Sequence, residues 1–345
     1  MQQPNIMGIK IPTPVGPSPL DVMKDGHEFE SLLSYNFSNV DMLSEIRKCI
    51  QEVETARNRR VLCYISNVVN GSIGNSIDGT DDLPFREMVA SVPPDVKEID
   101  IVLVTPGGLA NQVVNFVNTL RPRFDRVNFI LLDMAMSAGS IFIMSGDEIV
   151  MSARSKFGPI DPQVQNKEGR FVPAQSILLA INDIKTRGQE ALDNGSQPDW
   201  TDVQLLKNID IKEVGAALGA SNYSIQITQE FLQKYKFASW TVHSHTGELV
   251  TPQEREDCAK GVAEKLCDHT KWKSHGHFID RNVAWNECKI KITHSETING
   301  LDKAMRRMWA LFYWLFENTP MLKIFVSNEY CIIRNKQQIR IPVRP

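Results

Sequence analysis

The sequence predicts an α/β fold with a largely parallel sheet. Three observations carry this: apolar, β-branched runs of strand length recur along the chain, glycine turns or polar loops punctuate them, and apolar residues at helical spacing follow. No self-similar repeat interrupts that alternation. Over 28–53, Leu32, Leu33, Met42, Leu43, Ile46, Ile50 and Val53 suggest one or two helices ahead of the main domain. The run RVLCYISNVV (60–69) ends at Asn70-Gly71 and reads as a strand closed by a turn, with the polar, Gly-rich 71–82 as a loop. A helix-like stretch over 83–92 leads to a second strand, EIDIVLV (98–104), and then to Thr105-Pro106-Gly107-Gly108. Val113, Val114, Phe116, Val117 and Leu120 mark the helix after this turn. RVNFILLD (126–133) is a third strand; it meets Ser137 and a short apolar helix through Met144, and DEIVMS (147–152) is a fourth strand. After Gly158-Pro159-Ile160-Asp161-Pro162 the pattern turns helical over 173–192 and most of 200–237, placing helices to cover the sheet. Beyond Leu249, a Cys/His-containing segment and an apolar helix over 308–316 form a smaller, mostly helical C-terminal region. The expected organisation is a lead-in and helical arm over 1–55, a main α/β domain over 56–250 and a helical region over 251–345.

The chain has 345 residues, 42% hydrophobic and 23% charged, enough for one extended domain and a smaller one. A net charge of -3 and a pI near 6.2 give no electrostatic reason to expect nucleic acid or an anionic membrane as partner. The N-terminus is polar, punctuated by Pro4, Pro12, Pro14, Pro17 and Pro19, and lacks the basic start and apolar run of a signal peptide. It reads as a disordered lead-in. The 308–316 stretch is far shorter than the ~20 residues that span a bilayer, so a packed amphipathic helix is expected, not a membrane anchor. Cys49, Cys63, Cys258, Cys267, Cys288 and Cys331 are scattered without a CxxC pair and read as reduced thiols of a cytoplasmic protein.

In open α/β sheets, sites form at the carboxyl ends of strands. Two such ends matter here. At the first, Gly107 and Gly108 lack Cβ atoms at a strand-to-helix turn, so a substrate carbonyl can approach their amides. At the second, Ser137 precedes a helix and the Ala138 amide points toward the same space, with small neighbours leaving the approach open. Taken singly, Pro-Gly-Gly is a common turn and a serine before a helix a common N-cap. Their conjunction, about one βα unit apart, points to a nucleophile facing an oxyanion hole.

The segments TPGG (105–108) and AMSAGSIFIMSGDEIVMSARSKFGPIDPQ (135–163) resemble the oxyanion and nucleophile segments of the ClpP/crotonase superfamily. Within it the sequence is most similar to the signal peptide peptidase A-like branch, and especially to the serine dehydrogenase proteinases. The resemblance covers roughly 61–237, and WKSHGH (272–277) is similar to the C-terminal part of those proteinases. It implies a ClpP/crotonase-like layered fold, an ATP-independent serine peptidase and assembly into homo-oligomeric rings or stacks. The family name carries no implication of a dehydrogenase reaction.

A serine hydroxyl needs a base within reach. ClpP uses a His and an Asp, but this sequence has no His between His27 and His243, so a ClpP-type triad is not expected. The signal peptide peptidase branch uses a Ser-Lys dyad with the lysine on a later helix, which by resemblance selects Lys185 in AQSILLAINDIKTRGQEAL (174–192). Such a lysine must be desolvated, and Leu178, Ile181 and Ile184 are the residues expected to do so. From the residues alone, Lys185 is equally the solvated lysine of an amphipathic helix, and Lys156, Lys167 and Lys207 are rivals. Where that branch has a supporting serine in a GSIG turn, this chain has Pro159 in GPID, leaving Ser155 or Asp161 as substitutes.

Cys267, His269, His275 and His277, with Cys258, have the residue types of a zinc site but no standard spacing, so a hydrogen-bonded structural role beside Trp272 is expected. His243 and His245 are turn residues or a distant base. No metal or cofactor is expected. The site set is Ser137 and Lys185 as catalytic pair, with Gly107, Gly108 and Ala138 as oxyanion hole, acting on a peptide or protein substrate laid along the edge after Gly108. The 308–316 helix is a candidate for the oligomer interface. Two other functions stand beside this one: a crotonase-like acyl-CoA hydratase or isomerase, using the same paired amides on a thioester enolate, and a non-catalytic oligomeric scaffold.

Overall fold

The computed structural model describes residues 17–71, 74–165, 169–243 and 246–336. Most of the Pro-rich lead-in, Lys167 and His245 lie outside the described residues.

The chain opens with α1 (Pro19–Val22), α2 (Glu28–Leu33) and α3 (Met42–Arg57). The end of the lead-in is therefore ordered: Ser18 and Asp21 form a capping box on α1, and Ser18 Oγ also donates to Glu45 of α3. Asp41 caps α3 by accepting from the Leu43 and Ser44 amides, and α3 buries Ile46, Cys49, Ile50 and Val53. There follow β1 (Arg60–Ser66), α4 (Asp82–Ala90), β2 (Glu98–Thr105), α5 (Ala110–Leu120), β3 (Arg126–Ala135), α6 (Ala138–Met144), β4 (Glu148–Met151) and the short β5 (Lys156–Phe157). A small hairpin, β6 (Gln163–Gln165) and β7 (Phe171–Pro173), leads to three helices, α7 (Ala174–Asp193), α8 (Trp200–Asn208) and α9 (Ile211–Phe231). The last part holds α10 (Pro252–Cys267), α11 (His269–Trp272), α12 (Arg281–Cys288), β8 (Thr293–His294), α13 (Leu301–Asn318), β9 (Met321–Val326) and β10 (Cys331–Asn335).

Among the described residues, eight strands form the main sheet, in the order β10-β9-β1-β2-β3-β4-β8, with β5 beside the end of β3. β1 to β4, β5 and β8 pair in parallel, while β9 is antiparallel to β1 and β10. The apolar runs are continuous because both faces are covered. Along β2, Ile99, Ile101 and Leu103 enter one core with α4 to α6, α9 and α10, whereas Val102 and Val104 enter a second with α3 and α13. The expected largely parallel sheet under helices is what forms. The C-terminal part is mostly helical, and it also returns β8, β9 and β10 to the main sheet, which composition did not signal. The 308–316 stretch lies inside α13, with Met308, Ala310, Leu311, Phe312, Leu315 and Phe316 buried within the chain. Its apolar face is thus already used. Exposed apolar side chains gather instead on α8 and the start of α9, at Trp200, Leu205, Leu206 and Ile211. No helix among the described residues is long and apolar enough to cross a membrane.

One ion network ties the amino ends of the strands together. Arg57, the last residue of α3, donates from Nε to Asp100 on β2 and from Nη2 to Glu148 on β4 at 2.6 Å, and Asn128 on β3 donates to Asp100 Oδ1 at 2.9 Å. Asp100 is wholly buried, so its carboxylate depends on these donors. Arg57→Ala is expected to lower stability by about 3–5 kcal/mol, because it leaves that charge buried without its guanidinium. Denaturant unfolding of the two proteins measures this.

Candidate active site

The ends of β2 and β3 bring Gly107 and Ser137 into contact. A Cβ on Gly107 would lie 2.6 Å from the Met136 carbonyl oxygen, 2.7 Å from Ser137 Cβ and 3.2 Å from the Ala138 nitrogen. Gly107 and Gly108 adopt φ of 99° and 146°, values that L side chains rarely take. Ile77 straps this turn: its N–H donates to Gly107 O at 2.7 Å and its carbonyl accepts from Leu109 N at 2.9 Å. A Cβ on Gly108 would meet the Ile77 nitrogen at 2.6 Å. Both glycines are therefore required by close approach.

Ser137 itself has φ 51° and ψ -118°, a conformation that costs a non-glycine residue about 1–3 kcal/mol. Its surroundings hold it there. Met136 N donates to Thr105 O at 3.0 Å, and Gly139 N donates to Met136 O at 2.7 Å. Ser140 Oγ donates to Ala135 O at 2.8 Å and accepts from Gly158 N at 3.0 Å. Gly139 lies against Thr105 and Gly158 against Met136, each too close for a Cβ. Although Ser137 occupies the N-cap position of α6, its side chain makes no capping bond, and among the described residues its Oγ has no hydrogen-bond partner. The ordinary N-cap reading therefore does not explain it.

The amides sort into one engaged and two open. Gly107 N donates to Thr105 Oγ1 at 3.1 Å, and the missing side chain of Gly107 leaves room for Ser137. Neither Gly108 N nor Ala138 N, the first amide of α6, donates to any acceptor among the described residues.

Lys185 lies exposed on α7, and among the described residues its amine has no hydrogen bond or ion pair. Ile184 is buried, yet the apolar surroundings expected around Lys185 are not formed within one chain. Of its rivals, Lys156 is paired with Asp133 at 3.2 Å and lies over the Phe278 ring, and Lys207 is exposed on α8. The loop after β5 holds a different group. Asp161 is 1% exposed, with Oδ2 at 3.1 Å from His269 Nδ1 and Oδ1 at 2.8 Å from His275 Nδ1. A carboxylate accepts, so each neutral ring carries its proton on Nδ1 and presents Nε2 as a base. The segment bearing these rings packs on the chain around β5: Phe157 and Ile279 exchange backbone bonds at 3.0 and 2.8 Å, Ile160 N donates to Leu266 O at 2.9 Å, and Gly158 lies between Met136 and the His277 carbonyl.

The sequence offers His269 and His275 only as zinc-type or structural residues; the structure pairs both with Asp161. The signal available was Asp161, a carboxylate in an otherwise apolar turn. The remaining zinc-type residues have other partners. His277 packs on Trp272, and Cys267 accepts from Gln175 Nε2 at 3.5 Å. Burial pushes the Cys267 thiol up to about 12, which leaves it inert at neutral pH. Among the described residues no group of three or more His, Cys, Asp or Glu side chains is arranged to hold a metal ion. His243 Nε2 approaches Glu254 at 3.4 Å.

The family model described as ClpP-like SDH-type serine proteinase matches residues 29–195. The matched stretch carries β1 to β5 and Ser137. It is 32% identical over 138 residues to one uncharacterized protein of Methanocaldococcus jannaschii and 29% identical over 141 residues to another, each time over 39% of its own length. It spans 45% and 46% of those relatives. Similar solved structures include a mutant of the 1510-N membrane-bound stomatin-specific protease, with TM-score 0.38 and 15% identity over 66% of this chain and 79% of that one. A second mutant of the same protease, in complex with a substrate peptide, gives TM-score 0.26 and 23% identity over 34% of this chain and 58% of that one.

Gly107→Ala is expected to lower stability by about 1–3 kcal/mol, since a methyl group must displace the Met136 carbonyl or Ser137 itself. Equilibrium denaturation reads the loss. Gly188→Ala, on α7 with open space around it, serves as the control and is expected to be neutral or stabilising.

Proposed function

We propose that this chain is an ATP-independent serine peptidase in which Ser137 attacks a peptide carbonyl and the amides of Gly108 and Ala138 hold the oxyanion. The observation that carries the reading is a serine in strained backbone, its hydroxyl unengaged, against a glycine turn with two open amides. Removing one such donor costs an acyl-transfer enzyme about a hundredfold to a thousandfold in rate, so paired amides are a large part of the chemistry. The substrate would be an extended peptide laid beside Gly108 on the side away from Ile77. Buried free thiols at Cys49, Cys63, Cys267 and Cys288 fit the cytoplasmic location we keep as part of the proposal.

Two groups compete as base. Lys185 completes a Ser-Lys dyad in this reading only when a second copy covers α7, which the exposed apolar residues of the neighbouring α8 and α9 would favour. The Asp161-bound imidazoles need no such help, and a specific observation favours them: a buried carboxylate already fixes the tautomer that a Ser-His-Asp arrangement requires.

A fluorophosphonate probe is expected to label the protein at Ser137, with labelling lost in Ser137→Ala. Undiminished labelling of Ser137→Ala would sink the assignment. For the base, Asp161→Asn is expected to slow labelling by about a hundredfold or more, with a similar loss in one of His269→Ala and His275→Ala, a smaller loss in the other and little change in Lys185→Ala. The reverse pattern returns the role to Lys185. Tight binding of a CoA thioester without any labelling would point instead to crotonase-type enolate chemistry.

A further inference from the structure

Between β1 and α4, a buried lysine braces the loop that carries Ile77. Lys323, on β9, is 1% exposed. Its Nζ donates to both carboxylate oxygens of Asp81 at 2.9 Å, to the Ser76 carbonyl oxygen and to Asp78 Oδ2 at 3.4 Å. Asp81 is fully buried and accepts as well from Tyr64 Oη at 2.9 Å and from Asp78 N at 3.1 Å. An ammonium at this depth is tolerated only when paired, so the two charges fix each other's place. The residue after Ser76 is Ile77, whose N–H and carbonyl hold Gly107 O and Leu109 N. In a parallel bridge of this kind the intervening residue, Gly108, turns its own N–H away from Ile77.

We propose that Lys323, with Asp81, is a positioning residue for the oxyanion hole: acting through Ser76 and Ile77, it sets the Gly107–Gly108 peptide and hence the direction of the Gly108 N–H. The inference rests on the reading of Gly108 and Ala138 as oxyanion donors. It also makes the site depend on a C-terminal strand, since Lys323 lies well beyond residues 29–195.

Lys323→Met alone strands the Asp81 carboxylate and endangers folding. The informative variant of the full chain is Lys323→Met with Asp81→Asn, which removes both charges at nearly constant shape. Two readouts are taken. Amide hydrogen exchange at Ile77 and Leu109 is expected to accelerate by about tenfold or more, while the β3 amides of Phe129 and Ile130 stay as in the wild type. Fluorophosphonate labelling of Ser137 is expected to slow by about tenfold to a hundredfold in its chemical step, with the half-saturating probe concentration unchanged. A loss spread over both labelling parameters in proportion to unfolded protein would mark Lys323 as merely structural and overturn the proposal. So would wild-type exchange at Ile77 and Leu109, or faster exchange there with an unchanged chemical step. Should the double variant fail to fold, Tyr64→Phe, which removes one hydrogen bond from Asp81, is read by the same criteria. A wild-type protein that does not label at all would count against the peptidase reading, and the exchange measurement would still decide whether the strut exists.

Discussion

β2 and β3 run in step from Glu98 opposite Arg126 to Leu103 opposite Leu131, and then Thr105 lies opposite Ala135. Had the register continued unbroken, Gly107 would have come opposite Ala135. With two extra residues taken up by β3, it comes opposite Ser137. The contact between glycine and serine is thus a product of strand register, and it can form only because Gly107 has no side chain to occupy the space. Ser137 accommodates the turn by adopting positive φ, and the bonds from Gly139 to Met136, Ser140 to Ala135 and Gly158 to Ser140 close around it.

Strain of about 1–3 kcal/mol at one residue is small against the burial that opposes it. Each fully buried Val, Leu, Ile or Phe contributes about 1.5–3 kcal/mol, and the strands around the site are buried on both faces. Phe142 of α6 packs against the rings of Phe116 on α5 and Phe129 on β3, which anchors the helix that follows Ser137. At the far end of the same strands, Arg57 joins Asp100 and Glu148. Register is held at one end by charge and at the other by the glycine turn.

Much of this was legible. The four strands through Met151 and the placement of Ser137 and the glycine turn follow from apolar runs that end in glycine or polar punctuation, because both signals are local. What was not legible depends on distant residues. β8 has two residues, too few for any pattern, and β9 carries a lysine at its centre that only Asp81, far back in the chain, makes tolerable. The pairing of Asp161 with two imidazoles is equally non-local, since His269 and His275 reach it from α11 and the turn after it. The resemblance selects Lys185, and its apolar neighbours in sequence do not enclose it, because a helix turns its successive residues through different directions: Ile184 faces inward while Lys185 faces out. The engagement of Gly107 could have been read directly, since a threonine two residues before a turn amide commonly accepts from it.

Asp161 joins the loop after β5 to α11 and the turn after it, and its geometry limits how it can act. It gives one carboxylate oxygen to each imidazole, Oδ1 to His275 and Oδ2 to His269. Rotation of the carboxylate to follow one ring would therefore release the other. The backbone on both sides resists that rotation, because Ile160 is bonded to Leu266 and the Gln175 side chain holds both the His269 amide and the Cys267 sulfur. Each ring's orientation is consequently set by the other through a shared, buried anion. In the proposed reading, where one ring presents Nε2 to Ser137, the other would keep the carboxylate from turning. Loss of that second ring would loosen the first without touching the substrate, and the two histidines should be distinguishable on that basis even though they share one partner.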